Sequence, residues 1–459
     1  MKQATTFLQK TTGKPFDLEH RRKITFNMSK YDLAVTAGKG RYADLELARE
    51  RANFLKWKSL EQLEQYLLQF ETNFTANGGK VIWANDAEEA LKEILHIFKR
   101  IGARSVVKSK SMVTEEIHLN PALEKNGIEV VETDLGEFIQ QLDEEPPYHI
   151  VTPAMHKSKE DIAALFHRKL NTAPNLSPEE LTNIARNLLR EKYVNADVGI
   201  TGGNFIIADT GSIAITENEG NARLSMTFPK VHIAIVGIEK VIPSINDLDL
   251  FWPLLASHGT GQHMTVYNSI LSGPRQAGET DGPQEMYVIL LDNNRTTILA
   301  DTEQRQSLYC IRCGACLNAC PVYKNIGGHS YGTTYSGPIG SVITPHLQGM
   351  EEFKHLSQAS SLCGNCTAVC PVKIDLHELL LVNRRQAVTD ALQPPSEQRM
   401  WKYWKRGMMS RRLMDIVGGK PKNFLLKYLF KDGWGPRREL PLVAVKSFNK
   451  QWRERHPNK

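Results

Sequence analysis

The sequence has no apolar leader and no hydrophobic segment long enough to cross a bilayer. Its first residues, MKQATTFLQKTTGKPF, lack the apolar stretch of a secretory signal peptide. No apolar run approaches the roughly 20 residues that a membrane-spanning helix needs. Across 459 residues, 41% are hydrophobic and 24% are charged, as in globular proteins that are too long for a single core. We therefore expect a cytoplasmic protein of two or three domains.

The sequence also lacks the G-x-G-x-x-G fingerprint of a dinucleotide-binding fold. Its nearest approach, Thr201-Gly202-Gly203-Asn204, has a different spacing and is not clearly followed by a helix. Backbone N–H groups of such a segment can bind an anion, but glycines required for turns explain it more simply. No acceptor for a hydride is therefore indicated in this chain.

Cysteine is absent from the whole chain outside two short runs. The runs are Cys310-Ile-Arg-Cys313-Gly-Ala-Cys316-Leu-Asn-Ala-Cys320-Pro321 and Cys363-Gly-Asn-Cys366-Thr-Ala-Val-Cys370-Pro371. The first has the spacing C-x2-C-x2-C-x3-C-P, in which three thiolates surround one iron–sulfur cluster and the fourth is directed to another. The second run has the same ending but one cysteine fewer. The pattern predicts two clusters, which we expect to be of the [4Fe–4S] type.

Disulfide bonds and zinc account for the cysteines less well. A disulfide framework does not suit a long chain that has seven cysteines and no secretory signal. Zinc sites favour two separated C-x2-C pairs over three cysteines on one tight turn. Iron–sulfur ligation is therefore the favoured interpretation of both runs.

Acidic residues are scarce near the C-terminus. Residues 384–459 contain nineteen Lys and Arg but six Asp and Glu, a net charge of +13, whereas residues 1–383 carry a net −7. Tryptophans interleave with the basic residues in WKYWKRGMMSRRLM. This composition is typical of a solvated helical tail. It is equally typical of a tail that binds an anionic membrane surface, nucleic acid or an acidic protein subunit. Among binding partners we favour a subunit, because an electron carrier must hold its partner close.

Hydrophobic periodicity divides the chain into four regions. We predict an N-terminal helical segment (1–75), an α/β domain with a largely parallel sheet (76–295), a helical two-cluster ferredoxin module (296–395) and a basic C-terminal region (396–459). In the first region, Leu60, Leu63, Leu67 and Phe70 form one apolar stripe. In the second, short apolar runs such as KVIWAN, IEVVET and HIVTPA alternate with helical patterns. The expected fold class is α/β plus α.

Few polar residues outside the cysteine runs stand out as candidates. Asp209, Glu217 and Glu219 offer a general base, but turn or strand-end positions on the surface explain them as well. His232 lies inside an apolar strand, where a core histidine is commoner than a ligand. The glycine-rich insert between the cysteine runs carries His329, Tyr331 and Tyr335, which could contact a partner or a small substrate.

Longer strings of the sequence resemble a known family. The strings HIVTPAMHKS, TGGNFIIADTGSIAITENEGNARL and PKVHIAIVGIEKVIP, followed by CIRCGACLNACPVY and LCGNCTAVCPVKIDLHELL, resemble the lactate-utilisation protein B family, the iron–sulfur subunit of the L-lactate oxidation system. The resemblance runs from about residue 20 to the basic region. It implies electron transfer during oxidation of L-lactate to pyruvate, beside partner subunits A and C. It also implies that the sheet domain shares the fold of ribose-phosphate isomerases and CoA transferases, which by itself does not make the domain catalytic.

The resemblance also implies a set of cluster ligands. The first cluster takes Cys310, Cys313 and Cys316 together with Cys370, and the second takes Cys363 and Cys366 together with Cys320. Each Cys-Pro turn thus sends its thiolate to the neighbouring cluster. Neither cluster can be completed by its own run, so we expect one indivisible module.

The second cluster lacks a fourth cysteine. At the position that corresponds to Cys310, the second run has Ser360. A serine oxygen is a harder ligand than a thiolate and binds iron only when deprotonated. We therefore favour an open or labile iron, which could be lost to give a [3Fe–4S] cluster, with Ser360 as a neighbour. Ligation by Ser360 stays open as the alternative.

Three functions are compatible with these features. The favoured one is an electron-transfer subunit without substrate chemistry of its own. The second is an oxidoreductase in which the α/β domain or an open cluster iron binds and turns over a small organic acid. The third, an iron–sulfur regulator that binds nucleic acid through the basic tail, is supported by no helix-turn-helix or zinc-finger spacing.

Overall fold

Two β-sheets and a large set of helices make up the fold, which we describe from a computed structural model. The structure describes residues 2–416, 418–434 and 439–457. The chain divides between Gln386 and Ala387 into two compact units. The described residues contain ten strands: β1 (Lys80–Ala84), β2 (Ser105–Lys108), β3 (Glu129–Glu132), β4 (Val198–Thr201), β5 (Phe205–Ile207), β6 (Ser212–Glu217), β7 (Val231–Gly237), β8 (Val241–Ile242), β9 (Tyr267–Leu271) and β10 (Glu285–Leu291).

Helices surround the strands of the first unit. Four of them precede the sheets: α1 (Lys2–Gly13), α2 (Leu18–Lys39), α3 (Leu45–Glu61) and α4 (Leu63–Ala76). Eight lie between β1 and β9: α5 (Ala87–Ile101), α6 (Met112–Glu116), α7 (Leu119–Lys125), α8 (Leu135–Leu142), α9 (Lys159–Leu170), α10 (Pro178–Asn195), α11 (Asn221–Thr227) and α12 (Leu248–Gly259). Seven follow β10: α13 (Arg295–Ala300), α14 (Ala315–Ala319), α15 (Pro321–Ile326), α16 (Gly337–Gln348), α17 (Met350–Gln358), α18 (Asn365–Ala368) and α19 (Leu376–Thr389).

The larger sheet is entirely parallel. Its strand order is β1-β10-β7-β4-β2-β3, and the smaller sheet has the mixed order β8-β5-β6-β9. Successive residues of β7 enter different cores: Ile233 and Ile235 pack on one face, and Ala234 and Val236 on the other. A parallel sheet covered on both faces by helices is what the alternating pattern predicts. The α/β plus α fold class is therefore confirmed.

Two local expectations have different outcomes. The apolar stripe Leu60, Leu63, Leu67 and Phe70 is buried in the main core, as its spacing predicts. HIVTPA is a turn where a strand was expected, so that prediction is wrong. The Nδ1 atom of His149 accepts the N–H groups of Val151 and Thr152 at 3.1 and 3.2 Å, which curls the segment.

A buried ionic network joins the α/β region to the helical region around the cysteines. Arg295, at the start of α13, donates to Glu116 at 2.9 and 2.8 Å and to Glu239 at 2.6 Å. Tyr335, from the insert between the cysteine runs, donates to the same Glu116 at 2.5 Å. These side chains are at most 5% exposed. Such a network tolerates the loss of a partner poorly, because the remaining charges stay buried.

The second unit consists of short helices with exposed apolar side chains. Within it lie α20 (Pro395–Met409), α21 (Arg411–Ile416), α22 (Gly419–Trp434) and α23 (Phe448–Arg455). Trp401 and Trp404 are both exposed, with ring centres 5.4 Å apart. Three basic residues of the tail lie outside the described residues: Arg437, Arg438 and Lys459. None of the described helices combines the length and the apolar character that crossing a bilayer requires.

The buried network predicts a large loss of stability when Arg295 is removed. Arg295→Ala leaves two carboxylates buried without their cation, and we expect a destabilisation of about 3–5 kcal/mol. Arg100→Ala is the matched control, because Arg100 pairs with Glu285 at the surface. Exposed pairs contribute at most about 1 kcal/mol. Chemical denaturation followed by circular dichroism measures both, and equal shifts in the two variants would contradict the role of the network.

Candidate iron–sulfur centre and the adjoining cavity

The first cysteine run is a tight turn followed by two short helices. Arg312 and Gly314 both have positive φ angles, 61° and 81°, and the turn between them leads into α14. Cys320 is the N-cap of α15, and Pro321 occupies the first helical position, where its missing N–H costs nothing. The N–H of Arg312 donates to Cys310 Sγ at 3.4 Å, and that of Tyr323 to Cys320 Sγ at 3.5 Å.

The second run repeats this backbone conformation. Leu362 and Gly364 have φ angles of 53° and 76°, and α18 follows as α14 does in the first run. Cys370 Sγ accepts the N–H of Ile374 at 3.3 Å. Equal spacing in the sequence has therefore produced equal local geometry. Amide groups directed at sulfur are the usual environment of cluster thiolates.

The electrostatic neighbours of Cys316 and of Cys366 include thiols from both cysteine runs. Burial raises the pKa of Cys316, and three neighbouring thiols raise it further: Cys310, Cys313 and Cys370. Burial likewise raises the pKa of Cys366 to about 11, with further contributions from Cys320 and Cys363. We call Cys310, Cys313, Cys316 and Cys370 the first thiol group, and Cys320, Cys363 and Cys366 the second thiol group. Each contains one cysteine from the other run.

The surroundings of the first thiol group fit an anionic metal cluster. All seven cysteines are free. The Nη1 atom of Arg312 is buried without a hydrogen-bond partner among the described residues. Although burial opposes its charge, the guanidinium has a raised pKa because of the neighbouring Cys310 thiolate. A buried cation with an unused donor beside clustered thiols fits a negatively charged iron–sulfur cluster, whose ligands are thiolates.

Further cations surround the same thiols. Lys240 Nζ donates to the carbonyl of Cys310 at 3.0 Å, and Lys56 Nζ donates to that of Glu239 at 2.5 Å. Both lysines are at most 5% exposed. Burial and Lys240 together lower the pKa of Lys56 to about 7. The first thiol group therefore lies in a positive environment that can balance the charge of bound thiolates.

A cavity of about 320 Å³ adjoins the first thiol group. Ile311, Arg312 and Cys313 line one side of it, and the ends of strands from the α/β region line another. Tyr335, with its ring 4.4 Å below the Arg312 guanidinium, also lines the cavity. The insert between the cysteine runs thus lines part of this cavity, so a small substrate in the cavity could contact Tyr335.

The remaining candidate residues divide between cavity, surface and core. Glu217 and Glu219 line the cavity, whereas Asp209 is exposed and accepts the N–H of Ile245 at 3.1 Å. Removal of bulk water around the Glu219 carboxyl, together with nearby Asp134, raises its pKa to about 7. His232 is fully buried, and its ring is hydrogen-bonded to Thr201 at 2.9 Å, which confirms a core histidine.

A second polar cluster lies beside the same insert. One ligand atom from each of Glu145, His156 and His329 lies within 4.8 Å of the others. Burial lowers the pKa of His156 to about 4 and also lowers that of His329, so both rings are neutral. Lys157 donates to Glu145 at 2.9 Å and already balances this carboxylate. The Nε2 atom of His329 is hydrogen-bonded to the carbonyl oxygen of Pro146 at 2.7 Å, which fastens the insert to the preceding loop.

Comparison with known proteins identifies the family. Residues 67–291 match the family model of the LUD domain, and residues 306–374 match that of the 4Fe-4S dicluster domain. The lactate utilization protein B of Bacillus licheniformis is 44% identical over 437 residues, which cover 90% of this chain and 91% of that one. This chain belongs to the lactate utilization protein B family.

Two further relatives support this membership. The lactate utilization protein B of Bacillus subtilis strain 168 is 47% identical over 380 residues, 80% of this chain and 79% of that protein. An uncharacterized electron transport protein of Escherichia coli K12, YkgF, is 44% identical over 421 residues, 89% of this chain and 88% of that protein. The family resemblance read from the sequence strings is therefore confirmed.

Several residues of the site gave no separate signal in the sequence. Lys240 and Lys110 occur in strings that look ordinary, and their approach to the cysteines or the cavity depends on long-range folding. Arg312 lies inside the C-x2-C spacing, where a basic residue directly before Cys313 was a usable signal. The cysteines themselves could be found because their ligand spacing is local.

Ser360 occupies the same local position as Cys310. The N–H of Leu362 donates to Ser360 Oγ at 3.1 Å, just as the N–H of Arg312 donates to Cys310 Sγ at 3.4 Å. Cys363 differs from the other thiols in being exposed, and hydrogen bonds from the Asn365 N–H and the Ser361 side chain lower its pKa. The second thiol group is thus the more accessible one.

We expect mild oxidation to convert only the second cluster to a three-iron form. The second cluster has three thiolate ligands, so one of its irons lacks a soft ligand. The first thiol group supplies four thiolates, one for each iron of its cluster. Ferricyanide oxidation of anaerobically purified protein, followed by EPR, measures the conversion. Ser360→Cys should protect the second cluster, and Ser360→Ala should leave its lability unchanged. Two equally robust four-iron signals, lost together in Ser360→Ala, would show instead that Ser360 is a ligand.

Proposed function

We propose that this chain is an electron-transfer subunit that acts in oxidation of L-lactate to pyruvate and supports growth on lactate. The observation that supports the proposal is that Cys316 and Cys366 each have thiols of both cysteine runs among their electrostatic neighbours. The family relationship supplies the substrate, because curated relatives bear the name lactate utilization protein B. When bound, two iron–sulfur clusters would accept and release one electron each.

In this proposal the chain's own residues hold the clusters and tune their surroundings. Cys310, Cys313, Cys316 and Cys370 hold a first [4Fe–4S] cluster, and Cys320, Cys363 and Cys366 hold a second one with an uncertain fourth ligand. Arg312 and Lys240 offset the negative charge of the first cluster, and burial keeps water away from it. The exposed Cys363 gives a partner access to the second cluster.

The proposed division of labour follows the four regions. The α/β domain (76–295) encloses the first cluster, the ferredoxin module (296–395) carries both clusters, and the helical segment (1–75) packs against them. The basic region (396–459) is proposed to dock on partner subunits A and C. A cytoplasmic location, with peripheral contact to the inner face of the membrane, is consistent with the charge of that region and its exposed tryptophans.

A second candidate function is favoured by the cavity beside Cys313. In this alternative, the α/β domain or an open cluster iron itself binds and turns over a small organic acid. The cavity brings polar residues of the α/β domain next to the first thiol group. The two candidates differ in whether this chain reacts with lactate alone.

We expect the purified single chain not to oxidise lactate at a useful rate. The sequence contains no fingerprint of a hydride acceptor, so electrons must reach the clusters from another subunit. The chain should nevertheless be reduced by dithionite and reoxidised by a partner. Dye reduction with L-lactate, measured with the chain alone and with subunits A and C added, tests this. Robust lactate-dependent dye reduction by the single chain would favour the alternative function.

We expect removal of residues 400–459 to weaken association with the partner subunits. The tail carries most of the excess positive charge, and salt should reduce the difference because it screens exposed charges. Size-exclusion chromatography and co-sedimentation with anionic vesicles measure the two kinds of association. Replacing Lys402, Lys405 and Arg406 by Gln isolates charge, whereas Trp401→Ala with Trp404→Ala isolates the aromatic contribution. Association unchanged at low and high salt in the truncated chain would rule out the docking role.

A further inference from the structure

The cavity lies at a point of the parallel sheet where ligands are commonly bound. Strands β2 and β4 are neighbours in the larger sheet. After β2 the chain continues to β3, on the side away from β4, whereas the next strand of this sheet after β4 is β7, on the side away from β2. In open α/β sheets, the crevice beyond the carboxyl ends of two such strands is the preferred ligand site. Lys110 follows β2, Gly202, Gly203 and Asn204 follow β4, and all four line the cavity.

The size of the cavity restricts the ligand to a small molecule. Its volume of about 320 Å³ is at the lower end of the range of about 300–1,000 Å³ for ligand sites. The first thiol group closes one side through Cys313, and Gly259 allows this approach because a Cβ there would lie 3.0 Å from the Cys313 carbonyl oxygen. A short organic acid fits within this volume.

Two hydrogen-bond donors on the wall of the cavity have no protein acceptor. Within the described residues, the ammonium group of Lys110 forms no hydrogen bond or ion pair, and its charged neighbour on the cavity wall is the Glu219 carboxyl. The amide oxygen of Asn204 accepts the N–H of Thr216 at 2.9 Å, and this fixes the side chain while its NH₂ group has no acceptor among the described residues. Both groups are therefore free to donate to a ligand that is rich in acceptor atoms.

The charges around the cavity are arranged asymmetrically. Lys240 and Arg312 lie on the side of the cysteines, where the proposed cluster accounts for their charge. Asp134, Glu217 and Glu219 lie on the side of α8 and α11. Both oxygens of Glu217 are occupied by the N–H groups of Ala222 and Arg223, at 2.7 and 2.8 Å. One oxygen of Glu219 accepts the N–H of Leu135 at 2.9 Å, and the other can accept a hydroxyl group.

We propose that this cavity binds a small carboxylate that carries oxygen on the neighbouring carbon, a 2-hydroxy or 2-oxo acid. Lys110 binds the carboxylate, Asn204 donates to the second oxygen, and Cys313 and its neighbours form the opposite wall. Glu219 accepts a hydrogen bond from a 2-hydroxyl group, whereas a 2-oxo group has no hydrogen to donate to it. The choice of this acid class rests on the proposed function, whereas the anion-binding geometry does not.

Calorimetric titration of the anaerobic, oxidised holoprotein tests the proposal. The probes are L-lactate, pyruvate and propanoate, which has the same carbon chain without the second oxygen. We expect saturable binding of L-lactate and pyruvate, with propanoate weaker by about tenfold because it forms one hydrogen bond fewer to the site. At pH 8, above the raised pKa of Glu219 of about 7, Glu219→Gln should reduce the preference for L-lactate over pyruvate, since the amide is a weaker acceptor than a carboxylate.

Variants of Lys110 and Asn204 distinguish a specific binding site from general attraction of anions to positive charge. Lys110→Met should weaken binding of both acids at least about tenfold, because a charge-assisted hydrogen bond is lost. Lys99→Met, on the exposed face of α5, is the control and should bind as the wild type does. Asn204→Asp keeps the acceptor for Thr216 but repels the carboxylate, so it should also weaken binding. An unchanged EPR spectrum of the reduced clusters verifies that each variant retains its fold.

Three results would overturn the inference. These are the absence of saturable binding by either acid at millimolar concentration, equal binding of all three acids, and unchanged binding in Lys110→Met. The proposed function fails differently, because it requires lactate and the partner subunits to reduce the clusters. If lactate and the partner subunits reduce the clusters but the single chain binds neither acid, the cavity site alone is refuted. If the single chain binds the acids but the clusters are not reduced, the electron-transfer role alone is refuted.

Discussion

Burial of clustered thiols is the constraint on which the first unit depends. Thiols that bind iron are thiolates, and their charge must be balanced in a region from which water is largely excluded. Lys240 and Arg312 supply that balance beside Cys310. These cations are buried as well, and Glu239 lies among them together with Arg295. The buried ion network of the α/β region thus balances the negative charge of thiolates in the cysteine runs.

A second constraint, the need to satisfy backbone carbonyls around Cys370, explains why helix α3 packs on the second run. Arg49, in α3, donates to the carbonyl of Cys370 at 3.0 and 2.9 Å and to that of Ala368 at 2.9 Å. Asn53, one turn later, donates to the carbonyl of Val372 at 2.8 Å. The turn after Cys370 contains backbone carbonyls that its own short helix cannot satisfy. The N-terminal helices therefore hold the run that completes the first thiol group.

Local patterns could be predicted from the sequence, whereas long-range convergence could not. Ligand spacing identified all seven cysteines as one module, and alternating apolar runs identified the parallel sheet. The HIVTPA segment was misassigned because its apolar residues pack against the cysteine turn: a Cβ at Gly314 would lie 2.9 Å from Val151. Lys110 gave no signal, and Asn204 stood out only as the end of a glycine-rich segment, since their meeting depends on the order of β2 and β4 in the sheet. The proposed exchange of cysteines between the runs was accessible only through the motif and the family resemblance.

The contact between the sheet and the cysteine run gives the α/β domain a physical role that fold similarity alone does not assign. In an open α/β protein the crevice beyond the strand ends is accessible to solvent and receives a ligand or cofactor from there. Here Ile311, Arg312 and Cys313 close that crevice from one side. The domain cannot be altered near Gly259 or Val151 without disturbing the backbone that carries Cys313 and Gly314. Sheet, cavity and thiol group therefore form one packed arrangement, in which anything bound at the strand ends lies next to the chain segment that holds the first thiols.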